Sequence, residues 1–358
     1  MPRATIDDVA ELAGVSIKTV SRVVNKEPNV REATRAKVER AIARLSYHPN
    51  LSARNLASQR ARLIALIYDD PSSYEIPSSG YVIRMQTGVL SACRSADYRL
   101  VINPCDYRRE AIGAELKAMI DHARPQGIVL AAPLSNIPRV VQTIVATGTP
   151  MVRLSPGTQG GKQYSVATND REISAEMTRY LASLGHRKIA FIKGHPNHKA
   201  VANRYLGYLD GLKQSGLAFA EALVEDGDNS FGSGEAAGER LLRLRDPPTA
   251  IFAANDDMAA GVIRAAALLG VDVPGQLSIA GCDDISLARQ LCPTLTTIRQ
   301  PLASMAERAA QVLIRNAHEE SPLHGAEIVP AKIEIRESTG PVPAGTRSRR
   351  SRTQAPPE

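Results

Sequence analysis

Four cysteines are scattered through the 358 residues, Cys93, Cys105, Cys282 and Cys292, and none stands in CxxC spacing. That pattern supports neither a zinc site nor a disulfide framework, and it fits a reducing cytoplasm. No stretch approaches the roughly 18 uninterrupted apolar residues of a membrane span. No basic-then-apolar leader precedes the first polar helix, so the expectation is a cytoplasmic chain, neither secreted nor membrane-spanning. A glycine-rich GxGxxG turn after a strand, a Walker loop and a GxSxG elbow are all missing, which argues against an enzyme of the doubly wound type. The seven histidines show no convincing metal-ligand spacing. His195-Pro196-Asn197-His198 reads as a loop over a cleft, and neither cofactor nor metal is expected. From Pro341 onward there is almost no large apolar residue and no leucine heptad, so that tail reads as disordered and offers no tetramer-forming coiled coil.

What is present is unevenly charged. Hydrophobic content of 43% and charged content of 23% are those of a globular protein. Residues 1–62 hold 12 lysines and arginines against 6 acids, and the tail holds four arginines against one glutamate. The net charge of +7 therefore sits at the two ends, the footprint of a nucleic-acid-binding head.

Within that head, Ile6, Val9, Ala10 and Ala13 recur at i, i+3, i+4 and i+7 and place one apolar stripe on a first helix. Thr5 is placed to cap it, with Asp8 reaching back as an aspartate version of the capping box. Gly14 supplies the turn. Ser16 is placed to cap a short second helix whose Ile17, Val20, Val23 and Val24 can pack on the first, and Asn25 with Pro28 ends it. A third helix over 32–45 closes the core through Val38, Ala41, Ile42 and Leu45. The unit reads as a helix-turn-helix, which presents the start of its second helix to the DNA major groove. Lys18, Thr19, Ser21 and Arg22 on that helix are all donors, and arginine against guanine is the commonest specific base contact. A plain helical hairpin with a solvated polar face is the bland alternative.

Three stretches, TIDDVAELAGVSIKTVSRVVN, VREATRAKVERAIARLSYHPN and LSARNLAS, resemble the DNA-binding head and hinge of the lactose-repressor (LacI/GalR) family of bacterial transcription regulators, nearly continuously over the first 60 residues. The resemblance implies that Thr5, Ser16, Thr19, Ser21, Asn25 and Asn50 hold phosphates and that Ile17, Lys18 and Arg22 read bases. It also puts Ala53 and Leu56 at the DNA, with Leu56 as a wedge in the minor groove. A large apolar residue on a short polar helix has no local core, and insertion between base steps would give it one.

From Leu63 the pattern alternates short apolar runs with amphipathic helices: strands at 63–68, 99–102, 127–130, 151–154 and 164–168, then a second round at 188–192, 223–225, 250–253 and 278–282, with helices between. Strand-helix-strand order implies parallel sheets with right-handed crossovers. Two rounds imply an α/β body of two doubly wound lobes, joined to an all-α head. The expected organisation is a head over 1–48, a hinge over 49–61, an effector-binding and dimerisation body over 62–340, and a basic tail over 341–358. GHRKIAFIKG, NRYLGYLDGL, AIFAANDDMAAGVIRAA and GQLSIAGCDDISLARQLCPTLTTIRQP resemble the family's effector domain. That domain resembles periplasmic sugar-binding proteins, and the likeness implies three chain crossings between the lobes.

Ligands of such folds collect at the carboxyl ends of strands. Asp69, Asn255, Asp283 and Gln300 follow apolar strands, and Arg204 opens a helix. Carboxylates, amides and a guanidinium suit the hydroxyls of a sugar, because each hydroxyl both donates and accepts. The family places effector contacts at these five positions. Each has a bland role as well: Asn255 as a helix cap, Asp283 as an acceptor of backbone amides, Arg204 as the partner of a nearby acid. Two departures bear on the ligand. Ser155, with Arg153 before it, stands where many members have an aspartate. Gly227-Asp228-Asn229 has Phe231 two residues later, where many members place a stacking aromatic directly.

The reading is a homodimeric, sequence-specific regulator binding a near-palindromic operator, a repressor of sugar-utilisation genes released by a small carbohydrate. A corepressor-dependent repressor with a purine-like ligand has the opposite sign, and a transport-associated sugar-binding protein would explain the body but not the basic head.

Overall fold

The computed structural model describes residues 4–24, 30–45, 47, 62–69, 79–157, 163–317 and 323–342. The chain divides into two compact units, Met1–Ala61 and Arg62–Glu358. The expected phosphate contacts Asn25 and Asn50, the hinge with Ala53 and Leu56, and all of the tail beyond Val342 lie outside the described residues.

In the first unit, α1 (Ile6–Ala13), α2 (Ile17–Val24) and α3 (Glu32–Leu45) pack around Val9, Ala10, Val20, Val23, Val38, Ala41 and Tyr47. The capping box forms as its sequence predicts. The Asp8 amide donates to Thr5 Oγ1 at 3.3 Å, and the Thr5 amide and hydroxyl donate to Asp8 Oδ2 at 2.7 and 2.8 Å, which holds the Asp8 carboxyl below the ordinary aspartate range. Gly14 ends α1 at φ 64°, the left-handed cap that costs glycine no Cβ clash. Tyr47 is the one core member the periodicity does not mark. It lies beyond the third helix, and its amide donates back to the Ile42 carbonyl at 3.0 Å.

The second unit holds two six-stranded sheets. The first contains β1 (Leu63–Asp69), β2 (Arg99–Cys105), β3 (Gly127–Leu130), β4 (Met151–Leu154), β5 (Tyr164–Ala167) and a late strand β11 (Ala326–Ile328), in the order β2-β1-β3-β4-β5-β11, all parallel. The second contains β6 (Ile189–Ile192), β7 (Val224–Glu225), β8 (Ala250–Ala253), β9 (Ser278–Cys282), β10 (Thr296–Arg299) and β12 (Lys332–Glu334), in the order β7-β6-β8-β9-β10-β12. Its last pair is antiparallel, Ile298 facing Ile333, so this lobe is a mixed sheet rather than the wholly parallel one expected. The runs GIVL, IAFI and AIFA are buried at every position. Uninterrupted apolar strands of this kind are required where helices cover both faces.

Those helices are α4 (Ser79–Ser95), α5 (Ile112–Ala123) and α6 (Pro138–Ala146) in the first lobe. The second lobe has α7 (Asp170–Ser183), α8 (Lys199–Gln214), α9 (Phe231–Leu242) and α10 (Asp256–Leu268). The chain passes between lobes after β5, after β10 and after β11, three times as the resemblance implies. After the second passage, α11 (Leu302–Arg315) returns to the first sheet and buries Met305, Ala306, Ala309, Ala310 and Leu313 against Ile64, Leu66 and Val89. No helix among the described residues is long and apolar enough to cross a membrane.

Candidate functional sites: the second head helix and an interlobe cleft

On α2, Ser16 Oγ accepts from the Thr19 amide at 3.2 Å and lies 2.9 Å from the Thr19 hydroxyl. This cap fixes where the helix starts and hence which side chains face outward. Lys18 and Arg22 are exposed, Thr19 and Ser21 partly so. Ile17, expected to join the packing against α1, is instead 49% exposed, while Val20 and Val23 are buried. It sits in the first turn, at the edge of the stripe whose buried centre is Val20 and Val23, and is not among the described apolar residues that pack into the head core. An apolar side chain left in water beside Lys18 and Arg22 is suited to contact a thymine methyl in the major groove.

In the body, a cleft of about 130 Å³ is lined from both lobes. That is roughly ten times the room one ordered water needs, enough for a ligand of about a dozen heavy atoms. Its walls sit where each sheet reverses its order, between β1 and β3 in one lobe and between β6 and β8 in the other, at the carboxyl ends of the strands. Asp69 ends β1, Ala132 and Pro133 follow β3, His195 and His198 follow β6, and Asn255 and Asp283 follow β8 and β9. Tyr81, Val82 and Met85 of α4 supply an apolar wall. The expected Asp69, Arg204, Asn255 and Asp283 are thus brought together.

Gln300 is not among the lining residues. It is 2% exposed and its amide donates to Asp283 Oδ1 and toward Cys282 Sγ, so it positions Asp283 from behind.

The polar lining is held by internal bonds. Arg204 Nε donates to Asp170 Oδ1 at 2.9 Å, Nη1 donates to the Ala254 carbonyl at 2.5 Å and lies 3.7 Å from Asp283 Oδ1. Burial works against the Arg204 charge, and the nearby acids Asp170 and Asp283 outweigh it, so the guanidinium stays charged. Burial raises the Asp170 carboxyl despite its arginine partner. Burial also pushes Asp283 up to about 7, against the downward pull of Arg204. Asn255 caps α10 by accepting from the Met258 amide at 3.0 Å and donates to the Asn229 carbonyl at 2.9 Å. The bland roles of Asn255 as a cap and Arg204 as the partner of an acid are therefore real and orient the same side chains that face the cleft, whereas Asp283 accepts from the Gln300 side chain rather than from backbone amides.

Several lining residues lie outside the five expected. Asp228 accepts from the Ser230 amide at 2.8 Å; burial raises its carboxyl, but bonds from Ser230 and Ser233 outweigh this and hold it below its ordinary value. His198 is pushed down to about 3, by burial first and the Arg204 charge second, and its Nδ1 is buried with no hydrogen-bond partner among the described residues. Its ring meets Tyr81 of the other lobe edge-on at 6.1 Å. The His195–His198 loop was visible in the sequence; Tyr81 carried no signal. Of the two departures, Ser155 is buried at φ 46° and hydrogen-bonds the Tyr81 side chain rather than lining the cleft, and Phe231 opens α9 outside it. Asp228 and Asn229 line the cleft instead.

A two-lobed body with an interlobe cleft, together with a basic helix-turn-helix head, defines a ligand-responsive DNA-binding regulator. Residues 5–50 match the family described as bacterial regulatory proteins, lacI family, and residues 178–339 match a periplasmic binding protein-like domain. The chain is 35% identical over 318 residues to the HTH-type transcriptional regulator GalR of Escherichia coli (strain K12), covering 87% of this chain and 88% of that protein. Among solved structures it is similar to a lac repressor dimer bound to operator and the anti-inducer ONPF, with a TM-score of 0.79 at 27% identity, covering 95% of this chain and all of that one. It is also similar to the transcriptional regulator CelR in complex with cellobiose, with a TM-score of 0.72 at 29% identity, covering 94% of this chain and all of that one. The chain belongs to the LacI family of bacterial transcription regulators.

Proposed function

We propose that this regulator is a cytoplasmic homodimeric repressor that reads a near-palindromic operator with Ile17, Lys18 and Arg22 of each head and is released by a small polyhydroxylated effector. Thr5, Ser16, Thr19, Ser21, Asn25 and Asn50 would hold the phosphates, with Ala53 and Leu56 at the minor groove. Asp69, Arg204, Asn255 and Asp283 would bind the effector, with Gln300 supporting Asp283. The observation that carries the reading is the convergence on one cleft of carboxyl and amide groups from strand ends of both lobes with the Arg204 guanidinium from within α8. Such a mixture of donors and acceptors pairs with hydroxyls that do both. The likeness to CelR, whose structure is a cellobiose complex, supports a carbohydrate.

Release requires the effector to favour the form with weaker DNA affinity, because a ligand shifts an equilibrium only by its differential affinity for the two states. A coupling of roughly 1–3 kcal/mol weakens operator binding about 5- to 150-fold. Operator affinity measured by gel shift with and without saturating sugar tests the sign. Tighter binding with sugar makes it a corepressor and overturns release; unchanged binding means that sugar is not the effector.

A further inference from the structure

We infer that the interlobe cleft selects an uncharged sugar over its phosphorylated or carboxylated counterparts, with Asp228 and His198 as the residues that set this selectivity. The inference rests on the carbohydrate reading above and adds the charge class of the ligand.

Among the described lining residues, Arg204 is the one permanently charged cation, and its charge is already engaged. It is 3% exposed, bonded to Asp170 at 2.9 Å and to a backbone carbonyl, with Asp283 at 3.7 Å on its other side. An incoming phosphate or carboxylate would compete with two acids for one guanidinium. The lining also holds the carboxyls of Asp69, Asp228 and Asp283, of which burial pushes Asp283 up to about 7. Asp228 is held ionised by the bonds from Ser230 and Ser233. Like charges confined in a cleft with apolar walls repel more strongly than they would in open water.

The two histidines do not restore the balance. His195 and His198 are both shifted toward the neutral imidazole, burial being the first cause for each. What His198 offers is a neutral ring at the lining whose buried Nδ1 has no hydrogen-bond partner among the described residues. A neutral ring nitrogen and a hydroxyl satisfy one another at no cost in charge, and a buried polar atom left unpaired is costly.

Isothermal calorimetry on the full-length protein tests this with D-glucose, D-galactose, D-glucuronate, D-galacturonate and the two hexose phosphates. A neutral sugar is expected to bind, and its uronate and phosphate counterparts to bind at least about tenfold more weakly. Equal or tighter binding of an anionic counterpart overturns the selectivity while leaving the carbohydrate reading intact. Failure of the entire panel overturns both. In Asp228→Asn, which keeps a side-chain acceptor for the Ser230 amide, the neutral-to-anionic affinity ratio is expected to fall toward one. His198→Arg adds a cation at the same wall and should shift the ratio the same way. A ratio unchanged in both variants overturns the assignment to these residues.

Discussion

Removing the Arg204 guanidinium should unfold the body at lower temperature as well as abolish effector binding, and the two effects separate in a second variant. Asp170 and Arg204 are 5% and 3% exposed, with Nε and Oδ1 at 2.9 Å. Breaking a buried pair by deleting one partner leaves an uncompensated charge and costs about 3–5 kcal/mol. For a domain of this size, each kcal/mol moves the melting midpoint by about 2–4 °C, so Arg204→Ala should melt roughly 6–20 °C lower. The penalty depends on pH with a definite sign. Burial already raises the Asp170 carboxyl, and loss of Arg204 raises it further. The folded variant therefore takes up a proton before the unfolded chain does as pH falls. Its deficit is largest above the raised pKa and shrinks as pH falls through it toward the ordinary aspartate value. Replacing both partners by apolar residues, Arg204→Met with Asp170→Leu, should restore much of the stability, because a well-packed apolar pair is often as stable as the ion pair. It should not restore calorimetric sugar binding. Differential scanning calorimetry at neutral and mildly acidic pH decides the matter. An Arg204→Ala midpoint within about 1 °C of the parent, or a deficit that grows on acidification, refutes the reasoning.

In the head, Thr5→Ala should cost about 1 kcal/mol by leaving the Asp8 amide without its acceptor, read as faster hydrogen exchange through Ile6–Ala13. Arg22→Ala should lose about 1–3 kcal/mol on the cognate operator and flatten sequence preference, whereas equal loss on cognate and random DNA in gel shifts would count against base reading. Ile17→Ala should leave the head's stability within about 0.5 kcal/mol, since the side chain is already exposed, while changing operator preference in the same gel shifts. Leu56→Ala should reduce operator bending and affinity with no change in the melting of the body, and unaltered bending in a circular-permutation assay would remove the wedge.

Elements with a strong local period were legible in the sequence almost residue by residue. Strands GIVL, AIFA and SIAGC and the helices at 32–45 and 256–268 need nothing beyond unbroken apolar runs or a 3.6-residue stripe. Where two surfaces compete for one element, the period blurs. In α4 (Ser79–Ser95), Val89 faces the sheet, Met85 touches both the core and the cleft, Tyr81 and Val82 face the cleft, and Ile83 is exposed, so no single stripe marks its first half. The edge strands AEI and KIE were not legible, because three residues with a polar centre or ends become strands only by pairing with β5 and β10. The helix α11 (Leu302–Arg315) is a different case: Leu302, Met305, Ala306, Ala309, Ala310 and Leu313 carry a full 3.6-residue stripe. At the cleft, strand-end position identified Asp69, Asn255 and Asp283. It could not reveal that Gln300 stands behind Asp283 or that Arg204 bonds Asp170, since both facts depend on distant segments meeting in three dimensions.

How such a cleft could transmit a signal follows from where its bonds are. The residues facing the ligand are bonded mainly within their own lobe: Arg204 to Asp170 and Ala254, Asn255 to Asn229 and Met258, Asp228 to Ser230. They are therefore already oriented, and a ligand spends little of its binding energy on ordering them. Contacts across the cleft are of another kind. Asn197 donates to the Tyr107 hydroxyl at 3.1 Å, Asn203 to the Gly157 carbonyl at 2.9 Å, and Arg84 to the Asp284 carbonyl at 2.5 Å, all partly buried. Each is worth on the order of 1 kcal/mol net. A few such bonds are comparable to the coupling energies of regulated proteins, about 1–3 kcal/mol. A ligand touching both lobes adds to the same side of that small balance. Rigid walls and weak crossings thus direct the ligand's differential affinity into the spacing of the two lobes rather than into rearranging its own contacts.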